Sequence, residues 1–246
     1  MKLLLLPLFL FSSVSAVASE CLQNVNELGA KYLVSESVLI SQKTKKNHRH
    51  FNLWRKNTEV AHEHLDSNIT EIWNLVSDGR VKPVRYFDED KRGIEYQPDE
   101  VNNGKGDRNW NGKYQLFTDR YIASMKKESV NGQGCDKQEV YTSMKNDVSI
   151  RLVWLPAVKL PKFFEEKSSD KILRWELQEL VKDAPQVNQA FASRQNYLTT
   201  DYADIGDNES DPFLIKMINL GFVSHGASGF YDANGVPLEA EHGHAH

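Results

Sequence analysis

Apolar residues alternate with polar residues in short runs over the stretch from His50 to Pro98. The breaks between the runs are rich in Asn, Asp, Ser, Gly and Lys. Turn residues at this close spacing, between aromatic and β-branched runs, are typical of an antiparallel meander. Pro83 lies inside the fourth run, which predicts an edge or a bulge there. We therefore predict five consecutive strands, at about 50–55, 58–64, 69–76, 80–87 and 92–97.

A second region of alternation follows further along the chain. Apolar residues occupy every other position from Val148 to Trp154, and again from Leu173 to Leu177. Each run predicts a strand with one buried face, and Trp154 and Trp175 are both in phase with it. Turn residues at 145–147 and 168–170 join these strands to the runs before them. The predicted hairpins are 137–144 with 147–155, and 161–167 with 171–181.

Other segments predict helices and loops. Leu22, Val25 and Leu28 have helical spacing, and Asp211 and Pro212 are typical of a helix start. We predict a strand at 33–40, a basic loop at 43–49 and a polar loop at 99–112. The predicted helices are 21–32, 113–127, 186–198 and 213–220.

Together these elements predict an α+β fold with a curved, mostly antiparallel sheet and packed helices. The sheet domain would cover 19–182, and a helical and loop extension would cover 183–238. A flexible, histidine-rich tail would follow at 239–246.

The segment from Val153 to Leu177 resembles the hairpin of periplasmic lipoprotein-carrier domains. It contains Val-Trp-Leu-Pro at 153–156, Leu-Pro at 160–161 and a second Trp-containing strand after a turn. The resemblance implies a half-barrel sheet, a hydrophobic cavity, and a binding or sensing role without catalysis. The 99–112 loop and the C-terminal extension depart from that pattern.

The N-terminus predicts export. Lys2 precedes an apolar run at 3–11, and Ala16-Val17-Ala18 suits signal cleavage, which gives a signal peptide at 1–18. The apolar run is too short to span a membrane, so we predict no transmembrane segment in the mature chain. A periplasmic or secreted protein with two cysteines is expected to form a disulfide, here between Cys21 and Cys135. Lipidation of Cys21 and a redox-active thiol are the alternatives.

The net charge and the positions of the histidines indicate which ligands the protein could bind. The net charge of −4 argues against a nucleic-acid partner. Histidines spaced by two at the C-terminus would suit a divalent transition metal such as Zn²⁺, Cu²⁺ or Ni²⁺, with an ordinary polar tail as the alternative. His62 and His64 would share one face of a strand but need a third ligand. The candidate metal ligands are His242, His244, His246, His62 and His64.

Three functions follow from these patterns. The first is an exported binding or accessory protein without catalysis, which holds an apolar, peptide or protein ligand. The second is metal handling through the tail. The third is a hydrolase whose site follows no recognisable motif, because the chain contains neither Gly-x-Ser-x-Gly nor His-Glu-x-x-His.

Overall fold

The structure is a computed structural model of the 246-residue chain. It describes residues 24–40, 43–100, 106–208 and 210–220, together with the backbone of 230–231 and 237–238. The predicted signal peptide, Cys21 and the tail at 239–246 lie outside the described residues. The predictions made for them stay predictions.

A single sheet of twelve strands dominates the described structure, and this confirms the mostly antiparallel α+β class. The strand order is β12-β6-β5-β4-β3-β2-β1-β11-β10-β9-β8-β7, and all neighbours are antiparallel except β12 and β6, which run parallel. The strands are β1 (Glu27–Ile40), β2 (Lys43–Lys56), β3 (Glu59–His64), β4 (Ile69–Leu75), β5 (Val81–Phe87), β6 (Arg92–Glu95), β7 (Lys126–Asn131), β8 (Gln138–Lys145), β9 (Val148–Leu155), β10 (Leu160–Lys167), β11 (Lys171–Val181) and β12 (Leu198–Asp201).

In the described residues, four short α-helices accompany this sheet, and two further strands pair with each other apart from it. The helices are α1 (Trp110–Gln115), α2 (Asp119–Ala123), α3 (Ala184–Ala192) and α4 (Pro212–Asn219), and the separate strands are β13 (Phe230–Tyr231) and β14 (Pro237–Leu238). The five meander strands and both later hairpins are confirmed. So is the start of α4, where Asp211 is the N-cap and its side chain accepts from the Phe213 N–H.

The first strand corrects two predictions. Residues 27–32, predicted as part of a helix, belong to β1, and 43–49, predicted as a basic loop, belong to β2. The two strands pair from Glu27↔Lys56 to Ile40↔Lys43. Because this pairing satisfies the backbone of both segments, it prevails over the weak helical spacing in one and the high charge in the other.

The predicted helix at 113–127 is also wrong as a single element. Leu116 has φ of 69°, in the left-handed region that ends a helix, so α1 stops at Gln115 and α2 begins three residues later. The chain then enters β7 at Lys126. The predicted helix at 186–198 is shorter than expected, since α3 covers 184–192 and Leu198 already belongs to β12.

Pro83 lies on β5, an interior strand that pairs with β4 and β6 without a register shift, so the prediction of an edge or a bulge is wrong. β6 pairs with β5 only as far as Glu95↔Val84, and the Pro83 carbonyl accepts instead from the Tyr96 N–H, beyond the end of β6. The N–H and C=O of a strand residue point to the same side. The missing donor of Pro83 therefore faces Tyr96, so that just beyond the end of β6 one hydrogen bond forms where an antiparallel pair would have two.

The two faces of the sheet carry separate cores. On one face, α1 and α2 pack over a large cluster that runs from Trp73 on β4 to Trp154 on β9. Trp154 is buried in this cluster and Trp175 is half-buried against it, as their alternation predicts. On the other face, α3 packs on Trp54, Ala61 and Ile72. A third cluster joins α4 to Phe87 and Ile94 at the β5–β6 end.

Candidate ligand-binding groove

Helix α1 depends on the sheet beneath it for its stability. Its N-terminus is capped by Asn109, whose Oδ1 accepts from the Gly112 N–H at 3.0 Å. The last carbonyls of a helix have no partner inside the helix, and α1 is only six residues long. Donors for the carbonyls of Lys113 and Tyr114 must therefore come from outside, and they come from β2 and β3.

Arg55, the penultimate residue of β2, donates to the Tyr114 carbonyl and to two further backbone carbonyls outside α1. Its Nε donates to the Tyr114 carbonyl at 2.7 Å, Nη1 to the Val158 carbonyl at 2.7 Å and Nη2 to the Lys159 carbonyl at 2.9 Å. The guanidinium also lies 3.7 Å from the centre of the Tyr114 ring. One side chain thus joins α1 to the turn between β9 and β10.

These contacts require the structure to curl over the sheet face. β2 and β10 are separated by β1 and β11, and a flat sheet would hold them roughly 14 Å apart, too far for one arginine to reach. Arg55 is fully buried. Burial lowers its pKa to about 10, although the nearby Tyr114 and Tyr32 act in the opposite direction. The guanidinium remains charged at neutral pH, close to the negative end of the α1 dipole.

His62 on β3 supplies the second donor. Its Nε2 lies 2.8 Å from the Lys113 carbonyl, so this nitrogen carries the proton. The ring also packs edge-on against Phe51 and Trp73. Burial lowers the pKa of His62 well below 6.5, which keeps the imidazole neutral.

His64 shares the face of His62, as predicted, since the two residues pair with Leu53 and Phe51 on β2. Its ring packs against that of Phe51, and burial lowers its pKa to about 3. Among the described residues, no group of three His, Cys, Asp or Glu side chains is placed to hold a metal. The metal role of the pair stays a prediction.

Lowering the pH should destabilise the fold through His62. In the unfolded chain His62 takes up a proton near pH 6.5, whereas in the folded protein its pKa is well below that value. The contribution of neutral, buried His62 to the free energy of unfolding is therefore fully present above about pH 6.5. It is lost below that pH at about 1.4 kcal/mol per pH unit.

The His62→Gln variant tests this contribution, because an amide can donate to the Lys113 carbonyl but does not titrate in this range. Its free energy of unfolding, measured by urea denaturation from neutral pH to about pH 5, should fall with a shallower slope than that of the wild type. Equal slopes in the two proteins would contradict the assignment.

A groove with a volume of about 450 Å³ runs along α1. Trp110 and Tyr114 form an aromatic wall, with ring centres 6.0 Å apart. The Tyr114 hydroxyl lies 3.0 Å from the Val25 carbonyl and 2.7 Å from Asn26 Oδ1, which fixes the ring against the start of the described chain. The groove is lined by Val25, Asn26, Asn57, Thr58, Trp110, Asn111, Tyr114, Gln115 and Lys159.

Carboxamides form the polar part of this lining. The amide nitrogens of Asn111 and Gln115 donate to the two carboxylate oxygens of Asp119, at 3.0 and 2.7 Å. This orientation leaves the amide oxygen of the exposed Asn111 to accept a hydrogen bond from a ligand, whereas the Gln115 side chain is buried. The side chain of Lys159 is exposed at the rim and supplies a positive charge. The groove can therefore hold a flat group, pair with amides and attract a carboxylate.

The groove differs from the sites predicted by the sequence. The histidine tail and Cys21 lie outside the described residues, while Cys135 lies in a 3-10 turn at Gly134–Asp136. No free cysteine occurs in the described part of the chain, and the Cys21–Cys135 disulfide stays a prediction. Sequence reasoning did not identify Arg55, whose only signal is a charge in phase with the buried Phe51 and Leu53.

Comparisons with known proteins give distant structural similarities only. No protein-family model and no curated protein matches the chain. None of the described helices is both long and apolar enough to cross a membrane.

Three solved structures illustrate the similarity. An outer membrane lipoprotein-sorting protein domain from Vibrio parahaemolyticus is 7% identical with a TM-score of 0.31, over 69% of this chain and 92% of that chain. The MucA/MucB complex of Pseudomonas aeruginosa is 10% identical in sequence with a TM-score of 0.31, over 66% of this chain and 56% of that chain. A DUF1329 family protein from Desulfovibrio piger is 5% identical in sequence with a TM-score of 0.33, over 70% of this chain and 93% of that chain.

A lipoprotein-sorting domain is thus among the similar structures, as the resemblance of the segment 153–177 predicts. The chain spans just over half the length of the Pseudomonas chain that it matches. At these TM-scores the similarity is loose, and it assigns no ligand or activity to this chain.

Proposed function

We propose that this protein is an exported binding protein without catalytic activity, which holds a peptide-like ligand in the groove along α1. The observation that carries the proposal is the groove itself, with an aromatic wall and carboxamide lining held from behind by Arg55 and His62. Its volume of about 450 Å³ is that of an ordinary small-ligand site. A wall fixed by buried hydrogen bonds is already ordered, so binding costs little conformational entropy.

The lining favours a peptide-like ligand over a purely apolar one. The amide oxygen of the exposed Asn111 would lose its contact with water, and an apolar ligand offers no hydrogen bond in return. The N–H groups of a peptide can donate such hydrogen bonds. Trp110 and Tyr114 would pack against a side chain of the ligand, and Lys159 would pair with a carboxylate. The metal-handling alternative depends on the tail and stays a prediction.

Binding of short acetylated peptides tests the proposal. Titration calorimetry should show binding that the Trp110→Ala variant weakens at least about tenfold, since aromatic anchors carry a large share of binding energy. Lys159→Gln should abolish the preference for a free C-terminal carboxylate over an amidated C-terminus. Thermal unfolding of each variant verifies that it is folded.

The matched control is Gln178→Ala, which removes an exposed amide from β11, away from the groove. It should bind as the wild type does. If no peptide binds the wild type below about millimolar, or if Trp110→Ala and Gln178→Ala bind equally well, the groove is not a peptide site.

A further inference from the structure

The hairpin of β1 and β2 extends well beyond β3, which leaves one edge of β2 free. β2 pairs with β3 only from Phe51 onwards, so residues 43–49 of β2 pair with β1 alone. On the other side, β1 pairs with β11 up to Val38, and the Leu39 N–H donates to the Asp170 carbonyl at 2.7 Å. The end of the hairpin is roughly 40 Å along β2 from the groove, so it forms a separate surface.

This part of the hairpin concentrates positive charge in a chain of net charge −4. It carries Lys43, Lys45, Lys46 and Arg49, while no Asp or Glu occurs between Ser37 and Thr58. The side chains of 43–48 are exposed. Among the described residues, no acidic side chain forms a salt bridge with any of the four cations, and the adjacent Glu36 is paired with Lys171.

Two aliphatic side chains stand exposed beside these cations. Leu39 is 49% exposed and Ile40 is 54% exposed, and they pair with Thr44 and Lys43. Lysines along the free edge of β2 would by themselves prevent edge-to-edge aggregation. That role does not account for two large exposed aliphatic residues at the end of the hairpin, which would favour aggregation.

We propose that this hairpin end, residues 38–40 and 43–49, docks on an anionic lipid surface. Cations near such a surface are attracted to the head groups, and aliphatic side chains between them enter the boundary with the acyl chains. An acidic polypeptide would satisfy the cations but would gain little from Leu39 and Ile40. The combination of both kinds of residue therefore favours a membrane surface.

Co-sedimentation with vesicles tests this proposal, using phosphatidylcholine with and without phosphatidylglycerol. The wild type should bind only the anionic vesicles, and binding should weaken as salt rises. Each lysine removed should lower the partition coefficient about fivefold, so Lys45→Gln with Lys46→Gln should lower it roughly 25-fold. The matched control is Lys162→Gln with Lys182→Gln, which makes the same charge change with exposed lysines at the opposite end of their strands. It should leave binding almost unchanged.

The aliphatic contribution has its own variant. Leu39→Ser with Ile40→Ser keeps every charge and should weaken binding to anionic vesicles, most clearly at high salt where the electrostatic attraction is screened. All variants contain the same residues 1–18, so a difference in vesicle binding between them is due to the substituted residues. Equal loss in the lysine control would overturn the proposal. So would unchanged binding of the Ser variant, or binding of polyglutamate without binding of vesicles.

Discussion

Replacing Arg55 with methionine should lower the free energy of unfolding by about 3–5 kcal/mol, because three backbone carbonyls lose their hydrogen-bond donor. Methionine fills much of the same space but donates no hydrogen bond. The Val158 carbonyl would lose its partner in a buried position and the carbonyls of Tyr114 and Lys159 in part-buried positions, and each such loss costs about 1–3 kcal/mol. The contact with the Tyr114 ring would be lost as well. Urea denaturation at neutral pH measures the change.

The neighbouring residue provides a control for this variant. Lys56 is the last residue of β2. Its side chain is only half-buried, with Nζ 5.7 Å from the centre of the Phe191 ring. Lys56→Met should therefore cost no more than about 1 kcal/mol. A loss below about 1 kcal/mol in Arg55→Met would contradict the role assigned to Arg55, and peptide binding by that variant would show that the groove forms without it.

Local alternation was sufficient to predict most of the sheet. The strand from Val148 to Leu155 has an apolar residue at every second position, of which Leu152 and Trp154 are buried, and Asn146 and Asp147 adopt the positive φ angles of a tight turn just before it. Both signals are local, so they can be recognised without knowing which strands lie side by side. The same holds for α4, where the Asp-Pro start acts within a single turn of helix.

Long-range pairing accounts for the elements that were predicted wrongly. Leu22, Val25 and Leu28 fit a helix, yet Leu28, Ala30 and Tyr32 are buried on one face of β1 because β2 and β11 flank it. The first half of β2 contains no apolar residue to mark a strand. Only its pairing with β1 makes it one, and sequence spacing does not reveal that pairing.

The groove could not be predicted for a related reason. Its lining comes from four segments far apart in the chain, at 25–26, 57–58, 110–115 and 159. Taken alone, each segment looks like an ordinary part of a helix, strand, turn or loop. Arg55 joins the segments at 110–115 and 159 through backbone carbonyls, which every residue has and which leave no signature in the sequence. A buried arginine in a strand was the one available sign.

Arg194 should prove as important on the other face of the sheet, where it attaches the end of α3 to the meander. Its Nε and Nη2 donate to the two carboxylate oxygens of Asp88, both at 2.8 Å, and Nη2 also donates to Glu63 Oε1 at 2.9 Å. Burial lowers the pKa of Arg194, but Asp88 and Glu63 outweigh it and hold that pKa above its ordinary value. Glu63 in turn accepts from Trp54 Nε1 at 2.6 Å.

Arg194→Met should therefore cost about 3–5 kcal/mol of unfolding free energy, because it leaves two carboxylates without their cation in a largely buried position. Arg174→Met is the matched control, since Arg174 pairs with Glu165 on the surface, where an ion pair contributes at most about 1 kcal/mol. Hydrogen exchange should show α3 losing protection first in the Arg194 variant. If both variants lose the same stability, or if α3 keeps its protection, then α3 is held by Val187 and Phe191 packing on the sheet and the buried ion network contributes little.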